Sequence, residues 1–199
     1  SKRKNLQRRK EGIKNNRELH LAELSKKEAS QRRLLNIFTN LGKSRPEAPI
    51  LPPTKGASFA ALKGMLIWPA RGTIISHYGV AYNKALRTRK NNLGIDIKAS
   101  FGSDVYSVAY GIVRMPQWLP GYGPILIIEH DDGYITSYAH LSEILVEIGQ
   151  IISAGQVIAK VGEAESFEGP KLNFQLWQGG TNLNPEMWLS KGRIYSVNY

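Results

Sequence analysis

The chain has 199 residues, of which 42% are hydrophobic, and its formal net charge is +11. It contains no cysteine, which excludes disulfide bonds, thiol nucleophiles and cysteine-ligated zinc sites. No apolar run approaches the roughly 18 residues that a membrane-spanning helix needs.

The positive charge is concentrated at the beginning of the chain. Residues 1–33 hold 12 Lys and Arg against 4 Glu, a net charge of +8, whereas residues 34–199 have a net charge of only +3. A basic segment of this kind binds an anionic partner, such as nucleic acid or a membrane surface, or is simply a solvated helix. We favour the solvated helix and expect no nucleic-acid partner, because the remainder of the chain has no stripe of basic and aromatic residues.

Residues 1–42 are predicted to form a helix, since they lack proline and are rich in Lys, Arg, Glu, Leu and Gln. Glu23 precedes Lys27 by four residues, an order and spacing that support an exposed helix. The later turns carry an apolar stripe made of Leu21, Leu24, Leu34, Leu35, Ile37, Phe38 and Leu41. Such a helix needs a surface to lie against. We interpret it as a basic helical arm or as the end of a coiled coil.

A proline-rich linker is predicted at residues 43–58. Four prolines lie between positions 46 and 53, and they interrupt any helix and favour an extended chain. The expected organisation is therefore a helical segment at 1–42, the linker at 43–58 and a domain at 59–199.

The domain at 59–199 has the pattern of a β fold. Short runs rich in Ile, Val and Tyr, for example PILIIEH at 124–130, alternate with turns that contain glycine. No helix of ordinary length is evident among them. The predicted fold class is mostly β, an antiparallel β-sandwich or partly open barrel preceded by the α-helical segment.

Three of the predicted strands alternate polar and apolar side chains, which then point to opposite faces of a sheet. The polar positions are Asp96 in the first strand, Tyr138 and His140 in the second, and Lys171, Asn173, Gln175 and Trp177 in the third. If these strands lie near each other, their polar side chains surround one groove. Each residue taken alone is more often a solvated or hydrogen-bonded side chain than part of a site.

Five blocks of sequence together resemble the lysostaphin/LytM-type metallopeptidase domain, whose members cut peptidoglycan cross-bridges. That family reads HxGxD, YxHLS and HLHFE, followed by NP and an aromatic–Leu pair. The corresponding blocks are NLGID at 92–96, YAHLS at 138–142, KLNFQ at 171–175, NP at 184–185 and WL at 188–189. The resemblance covers about residues 59–190 and implies the LytM-type fold.

The zinc ligands of that family are largely replaced. The resemblance places them at Asn92, Asp96 and Asn173, and an Asn amide is a poor substitute for imidazole at zinc. Two further family histidines, which act on the water and the tetrahedral intermediate, correspond to His140 and Lys171. Without a metal that lowers the pKa of a water molecule, His140 has no strong nucleophile to activate. We therefore expect no metal, no other cofactor and no hydrolase activity.

Two more blocks resemble the metal-free members of this group, the EnvC-like murein hydrolase activators. They are FAALKGMLIWPARGTIISHYG at 59–79 and WLPGYGPILIIEH at 118–130. A coiled coil before the domain is also typical of that group. The resemblance implies a periplasmic, non-catalytic adaptor at the division site. Such an adaptor activates an N-acetylmuramoyl-L-alanine amidase during septum splitting, and an inner-membrane ABC-type divisome complex acts on its coiled coil.

The resemblance also predicts the partner-binding groove. Carried over position by position, it comprises Asn92, Leu93, Asp96, Tyr122, Tyr138, His140, Lys171, Asn173 and Trp177. Activators of this group often carry Lys at the position of Leu93 and Arg at that of Trp177, and both charges are absent here. An arm helix can block the groove until a signal arrives. The apolar stripe within residues 19–41 is either such a blocking segment or an ordinary coiled-coil seam, and the sequence favours neither.

Two other functions are compatible with the sequence. An active zinc endopeptidase would need a replacement ligand, such as His77 or His130. A plain peptidoglycan-binding module would bind murein directly without depending on an amidase. Whether an activator of this kind also binds peptidoglycan itself is left open by the sequence.

Overall fold

The computed structural model describes residues 2–43, 57–84 and 87–191 of the chain. Its first element is a long helix, α1 (Lys2–Lys43). The strands that follow are β1 (Thr73–Ser76), β2 (Gly79–Asn83), β3 (Thr88–Asn92), β4 (Gly94–Lys98), β5 (Asp104–Tyr106), β6 (Gly111–Leu119), β7 (Gly123–Glu129), β8 (Tyr134–Ala139), β9 (Leu141–Ile144), β10 (Ile151–Ile152), β11 (Val157–Val161), β12 (Lys171–Gln178) and β13 (Thr181–Leu183). Most of the linker predicted at 43–58 lies outside the described residues.

The strands form one large sheet, one small sheet and a hairpin. The large sheet has the order β1-β4-β12-β8-β7-β6-β10, and β13 also pairs with β12. The small sheet has the order β5-β11-β9, and β2 and β3 form the hairpin. The pairings between these strands are antiparallel. The predicted fold class, mostly β and antiparallel with a preceding helix, is confirmed.

One face of the large sheet, here called the core-side face, covers the main hydrophobic core. Strand β12 contributes Leu172, Phe174 and Leu176 to this core, and β4 contributes Ile95 and Ile97. The small sheet packs against the same core through residues of β5 and β11. Because side chains alternate along a strand, the intervening residues of β4 and β12 must lie on the opposite face.

The opposite face, here called the arm-side face, is covered by the C-terminal half of α1. Leu34 and Phe38 are fully buried there, in a second hydrophobic cluster. The sheet side of that cluster consists of Leu119, Tyr122, Ile125, Ile127, Ile135, Ala139 and Trp177. We call residues 27–41 of α1 the docked segment. Residues 2–19, by contrast, are exposed.

The spacing of the contacting residues explains why a single face of α1 meets the sheet. Lys27, Leu34 and Leu41 are seven residues apart, and Phe38 lies four residues after Leu34. Residues at these intervals lie on one side of a helix. Within the described part of the chain, no helix combines the length and the hydropathy that crossing a membrane requires.

Candidate functional site

The polar residues on the arm-side face of β12 form a continuous ladder of hydrogen bonds. Trp177 Nε1 donates to Gln175 Oε1 at 3.1 Å, and Gln175 Nε2 donates to Asn173 Oδ1 at 2.9 Å. Asn173 Nδ2 in turn donates to Asp96 Oδ1 on the neighbouring strand β4, at 2.6 Å. Each side chain spans the two-residue repeat of the strand, so the ladder follows from the alternation read in the sequence. The amides are thus occupied by one another rather than free to bind a ligand.

Asp96 is the charged centre of this face and is completely buried. Its Oδ2 accepts hydrogen bonds from Lys171 Nζ at 3.2 Å and from Lys90 Nζ at 3.4 Å. Burial alone would raise the pKa of the Asp96 carboxyl. The nearby ammonium groups of Lys27, Lys171 and Lys90, and the amide of Asn173, outweigh burial and hold that pKa well below its usual range. Asp96 is therefore a carboxylate at every physiological pH.

Lys171 links Asp96 to a second carboxylate. Its Nζ donates to Glu168 at 2.5 Å as well as to Asp96. Burial would lower the pKa of Lys171, but the two carboxylates together raise it. Lys171 therefore stays protonated and serves as an ion-pair partner, not as a proton acceptor.

Asn92 and Leu93 lie at the end of β3 and at the start of the connection to β4. Asn92 Oδ1 accepts hydrogen bonds from Asn173 Nδ2 at 3.2 Å and from the Gly94 backbone N–H at 3.2 Å. Gly94 has no room for a side chain, since a Cβ there would lie 2.0 Å from the carbonyl oxygen of Phe174. Leu93 packs against the second hydrophobic cluster. The predicted positions Asn92, Asp96, Lys171 and Asn173 are thus brought together.

His140 lies on the arm-side face because the backbone turns at this residue. Its φ of 63° is left-handed, which ends the strand alternation after β8. The Nδ1 atom lies 2.8 Å from the Ala164 carbonyl oxygen and donates to it, so Nε2 is the acceptor. Nε2 is buried and has no hydrogen-bond partner among the described residues. Burial, together with the charges of Lys171 and Lys27, lowers the pKa of His140 to about 4. The ring is therefore neutral at physiological pH.

The prediction that Tyr138 lines the same groove as His140 is wrong. Tyr138 belongs to the main core and its ring lies 5.3 Å from that of Phe174. Its hydroxyl lies within hydrogen-bonding distance of Thr136 and of the Val108 backbone N–H. In a regular strand residues 138 and 140 would share a face, but the left-handed turn at His140 separates them.

Tyr122 and Trp177 form the apolar part of the groove, directly beneath the docked segment. The Phe38 ring lies 4.8 Å from the Trp177 ring, at an interplanar angle of 46°. Lys27 Nζ lies 4.9 Å from the centre of the Tyr122 ring. Trp177 was predicted to line the groove, and the structure shows that α1 of the same chain occupies the space above it.

Polar contacts fix the docked segment along its length. Ser30 Oγ donates to the Pro120 carbonyl oxygen at 2.6 Å, and Gln31 Nε2 donates to the Asn91 carbonyl oxygen at 3.1 Å. The turn between β6 and β7 allows close approach, because a Cβ on Gly121 would lie 3.2 Å from Lys27 Cα. The helix is thus seated by hydrogen bonds as well as by apolar packing.

An open cleft remains beside the docked segment, with a volume of about 510 Å³. It is bordered by α1, by the β2–β3 hairpin and by the loop before β12. Its lining includes His20, Glu23, Lys27, Tyr82, Lys84, Lys90, His140, Phe167, Glu168 and Lys171. The polar end of the groove is therefore still reachable from solvent when the apolar end is covered.

The side chains of Asn92, Asp96 and Asn173, where the resemblance places the zinc ligands, do not fit a zinc ion. Two of the three positions are amides already committed to the ladder, and both oxygens of Asp96 are engaged by N–H donors. Two ammonium groups within 3.4 Å of Asp96 Oδ2 would also repel a divalent cation. Among the described residues, no group of three or more His, Cys, Asp or Glu is arranged to hold a metal ion.

The histidines considered as replacement ligands are held elsewhere. His77 Nδ1 lies 3.0 Å from a carboxylate oxygen of Glu186. His130 is buried on the core side, where its nitrogens lie 2.7 Å from the Tyr110 carbonyl oxygen and 2.8 Å from Thr136 Oγ1. Neither imidazole reaches the ladder.

Four residues of the site were not identified from the sequence as groove residues. Gln175 was noted only as part of an alternating strand, although it is the central rung of the ladder. Lys90 and Glu168 complete the ion pairs around Asp96 and Lys171. Lys27 was assigned only to an exposed helix. The alternation of β12 contained the signal for Gln175. Glu168 lies three residues before Lys171 and Lys90 lies six residues before Asp96, but no pattern in the sequence assigned either to the groove. Lys27 comes from a segment distant in sequence.

Comparisons with known proteins agree with this architecture. Residues 90–185 match the sequence model of Peptidase family M23. The chain is 33% identical over 138 residues to the murein hydrolase activator EnvC of Escherichia coli (strain K12), a match that covers 69% of this chain and 32% of that protein. It is 34% identical over 125 residues to the lipoprotein NlpD/LppB homolog of Pseudomonas aeruginosa, covering 62% of this chain and 39% of that protein.

A solved structure is also similar to this chain in fold. The zinc-containing peptidase from Vibrio cholerae superposes with a TM-score of 0.55 at 30% sequence identity, over 61% of this chain and 38% of that one. The chain spans about a third of the length of these three proteins. Residues 90–185 therefore match Peptidase family M23, and over its globular part this chain is similar to the EnvC and NlpD/LppB relatives.

Proposed function

We propose that this protein is a non-catalytic activator of a peptidoglycan amidase of the N-acetylmuramoyl-L-alanine type. The amidase binds the arm-side groove, and the docked segment closes that groove until a signal removes it. The observation that carries the proposal is the burial of Leu34 and Phe38 against Trp177, over a former metal site that the protein has filled with its own hydrogen bonds. The name of the EnvC relative, a murein hydrolase activator, supports the same conclusion.

The chemistry of the groove supports binding over catalysis. His140 has a buried acceptor nitrogen, but the side chains of Asn92, Asp96 and Asn173 do not fit a zinc ion that would activate a water molecule, and Lys171 is held as a cation. The groove instead offers aromatic surface with polar groups around it, which is the usual composition of a protein interface.

The coupling between the docked segment and the partner is a competition for one surface. A segment tethered by a short linker has an effective concentration of around millimolar at its own binding site. The apparent affinity of the amidase is then reduced by the fraction of molecules whose groove is open. Burial of Leu34 alone contributes about 1.5–3 kcal/mol to closure, so removal of this one contact shifts the equilibrium roughly tenfold or more.

The same relatives support a proposal for the cellular setting. A lipoprotein and a murein hydrolase activator among the matches support an envelope location, and we place the protein in the periplasm at the division site. The exposed part of α1, residues 2–19, is the surface available to an inner-membrane ABC-type divisome complex. Direct contact with peptidoglycan is compatible with the open cleft beside the docked segment.

Release of dye from labelled murein tests the proposal, with purified chain and a cognate amidase, together and separately. Leu34→Glu should open the groove and raise amidase stimulation several-fold, because a charged side chain cannot occupy a fully buried apolar site. Leu35→Glu is the matched control, since Leu35 is the adjacent leucine and is 42% exposed. It should stimulate like the unmodified chain.

The other outcomes separate the rival functions. Dye release by the chain without amidase would establish an active endopeptidase. Murein binding without any stimulation of an amidase would indicate a plain peptidoglycan-binding module. Equal stimulation by the Leu34 and Leu35 variants would show that the docked segment does not control the groove.

A further inference from the structure

Three lysines surround Asp96, and one of them differs from the other two. Lys90 and Lys171 each place Nζ within 3.4 Å of a carboxylate oxygen. Lys27, which comes from the docked segment, is only 7% exposed. In the described part of the chain, no carboxylate oxygen lies within 4.0 Å of its Nζ, and the contact made by this ammonium is with the face of the Tyr122 ring.

The surroundings of Lys27 compensate its charge only in part. Lys27 borders the open cleft but is only 7% exposed, so its ammonium loses most of its hydration, and the aromatic face returns a fraction of that loss. The charged groups that face it are Asp96 and Glu168, which attract it, and Lys171 and Lys90, which repel it. Tyr122 and His140 also face it, and both are neutral at physiological pH.

The net effect of these influences is unfavourable to the ammonium. Burial lowers the pKa of Lys27 to about 8, even though the attraction of Asp96 opposes the shift. Since the direct positions on Asp96 are already taken by Lys90 and Lys171, Lys27 cannot improve its own pairing without displacing one of them.

We propose that Lys27 is a built-in weak point of the docked segment, which keeps the groove less tightly closed than a neutral side chain of the same size would. The inference rests on the proposed function, in which the docked segment and a partner compete for the groove. The apolar contacts of Leu34 and Phe38 and the hydrogen bond of Ser30 hold the helix in place. Lys27 makes the free energy of closure less favourable, so the helix detaches more easily.

A less stable closed state is useful when the inhibiting segment is tethered to its own binding site. The high effective concentration of a tethered segment favours closure so strongly that a free partner at cellular concentration competes poorly. One buried, poorly paired ammonium lowers the closure constant without removing the apolar contacts that specify where the helix lies. The same groove then remains closed at rest and still yields to a partner.

Amide hydrogen exchange of the full chain at pH 7 tests the inference without any amidase. In Lys27→Met, exchange of residues 28–41 should slow at least tenfold, because the side chain keeps its length and loses its charge. Lys26→Met is the matched control, since Lys26 is the neighbouring lysine and is exposed. It should leave exchange unchanged. Lys27→Arg retains a buried cation and should not slow exchange.

Two results would overturn the inference. Faster exchange in Lys27→Met would show that the ammonium and the Tyr122 ring hold the helix down. Equal exchange in Lys27→Met and Lys26→Met would show that the charge has no influence on closure. Because the readout is closure itself, the proposed amidase activation can fail in the dye-release assay while this result stands, and the reverse also holds.

Discussion

The two faces of the large sheet are built from the same strands but depend on different partners. The core-side face of β12 is packed by residues of the domain itself, with Phe174 against Tyr138. The arm-side face of β12 is packed by a helix that precedes the domain, with Trp177 against Phe38. Both aromatic residues of β12 are buried, yet burial has a different origin on each side.

This difference indicates which surface is available for regulation. The core-side face cannot be uncovered without unfolding the domain. The arm-side face is uncovered when one helix leaves, and it then presents an apolar patch beside a ladder of polar groups. Exposed apolar patches with polar rims mark interaction sites, which supports the proposal that the docked segment controls access to this face.

The largest expected effect comes from truncating one aromatic residue on each face. Phe174→Ala should lower the free energy of unfolding of the domain by about 3–5 kcal/mol, the usual loss for a buried phenylalanine. Trp177→Ala should lower it less and should mainly accelerate hydrogen exchange in residues 28–41, because the lost contact joins the domain to the helix. Urea titration and hydrogen exchange of both variants measure the two effects.

A matching loss of unfolding free energy in the two variants, with no selective change in residues 28–41, would break the comparison. The arm-side face would then be an integral part of the domain core, and α1 would be a fixed structural element.

A smaller effect is expected from pH. Lys27 has a pKa of about 8 in the closed state, against 10.5 for an exposed lysine. The closed state therefore binds fewer protons than the open state between these values, so closure becomes more favourable as pH rises from about 8 towards 10.5. Below about pH 8 this group is protonated in both states, and its contribution to closure no longer changes with pH.

Protection factors of residues 28–41 provide the measurement, since they correct for the intrinsic pH dependence of exchange. Between pH 7.5 and 9.5 the closure constant should rise by roughly twentyfold in the unmodified chain. It should stay level in Lys27→Met. The same rise in both proteins would assign the titration to another group.

Much of this structure could be predicted from the sequence, and the predictions that were wrong have identifiable physical causes. The antiparallel β domain, its preceding helix and the clustering of Asp96, Lys171 and Asn173 follow from alternation and from matched sequence blocks. Tyr138 was misplaced because a strand rule was extended through His140, whose left-handed backbone ends the alternation. The alternation of side chains predicts which face of the sheet a residue occupies only as long as the strand remains regular.

The contact between the helix and the groove could not be predicted from the sequence. The apolar stripe of α1 was visible in the sequence, but a stripe does not specify the surface that it touches. Lys27 lies in that stripe at heptad spacing from Leu34, and only the fold reveals that it is buried beside Tyr122. Lys90 and Glu168 lie only six and three residues from Asp96 and Lys171, but only the fold shows that their side chains turn towards these partners.

The most direct test of the central claim is hydrogen exchange of residues 28–41 as a cognate amidase is added to the full chain. If the amidase and the docked segment compete for one groove, exchange in these residues should accelerate with amidase concentration and saturate when the groove is fully occupied. Unchanged or slower exchange at saturating amidase would place the partner elsewhere on the molecule and contradict the competition.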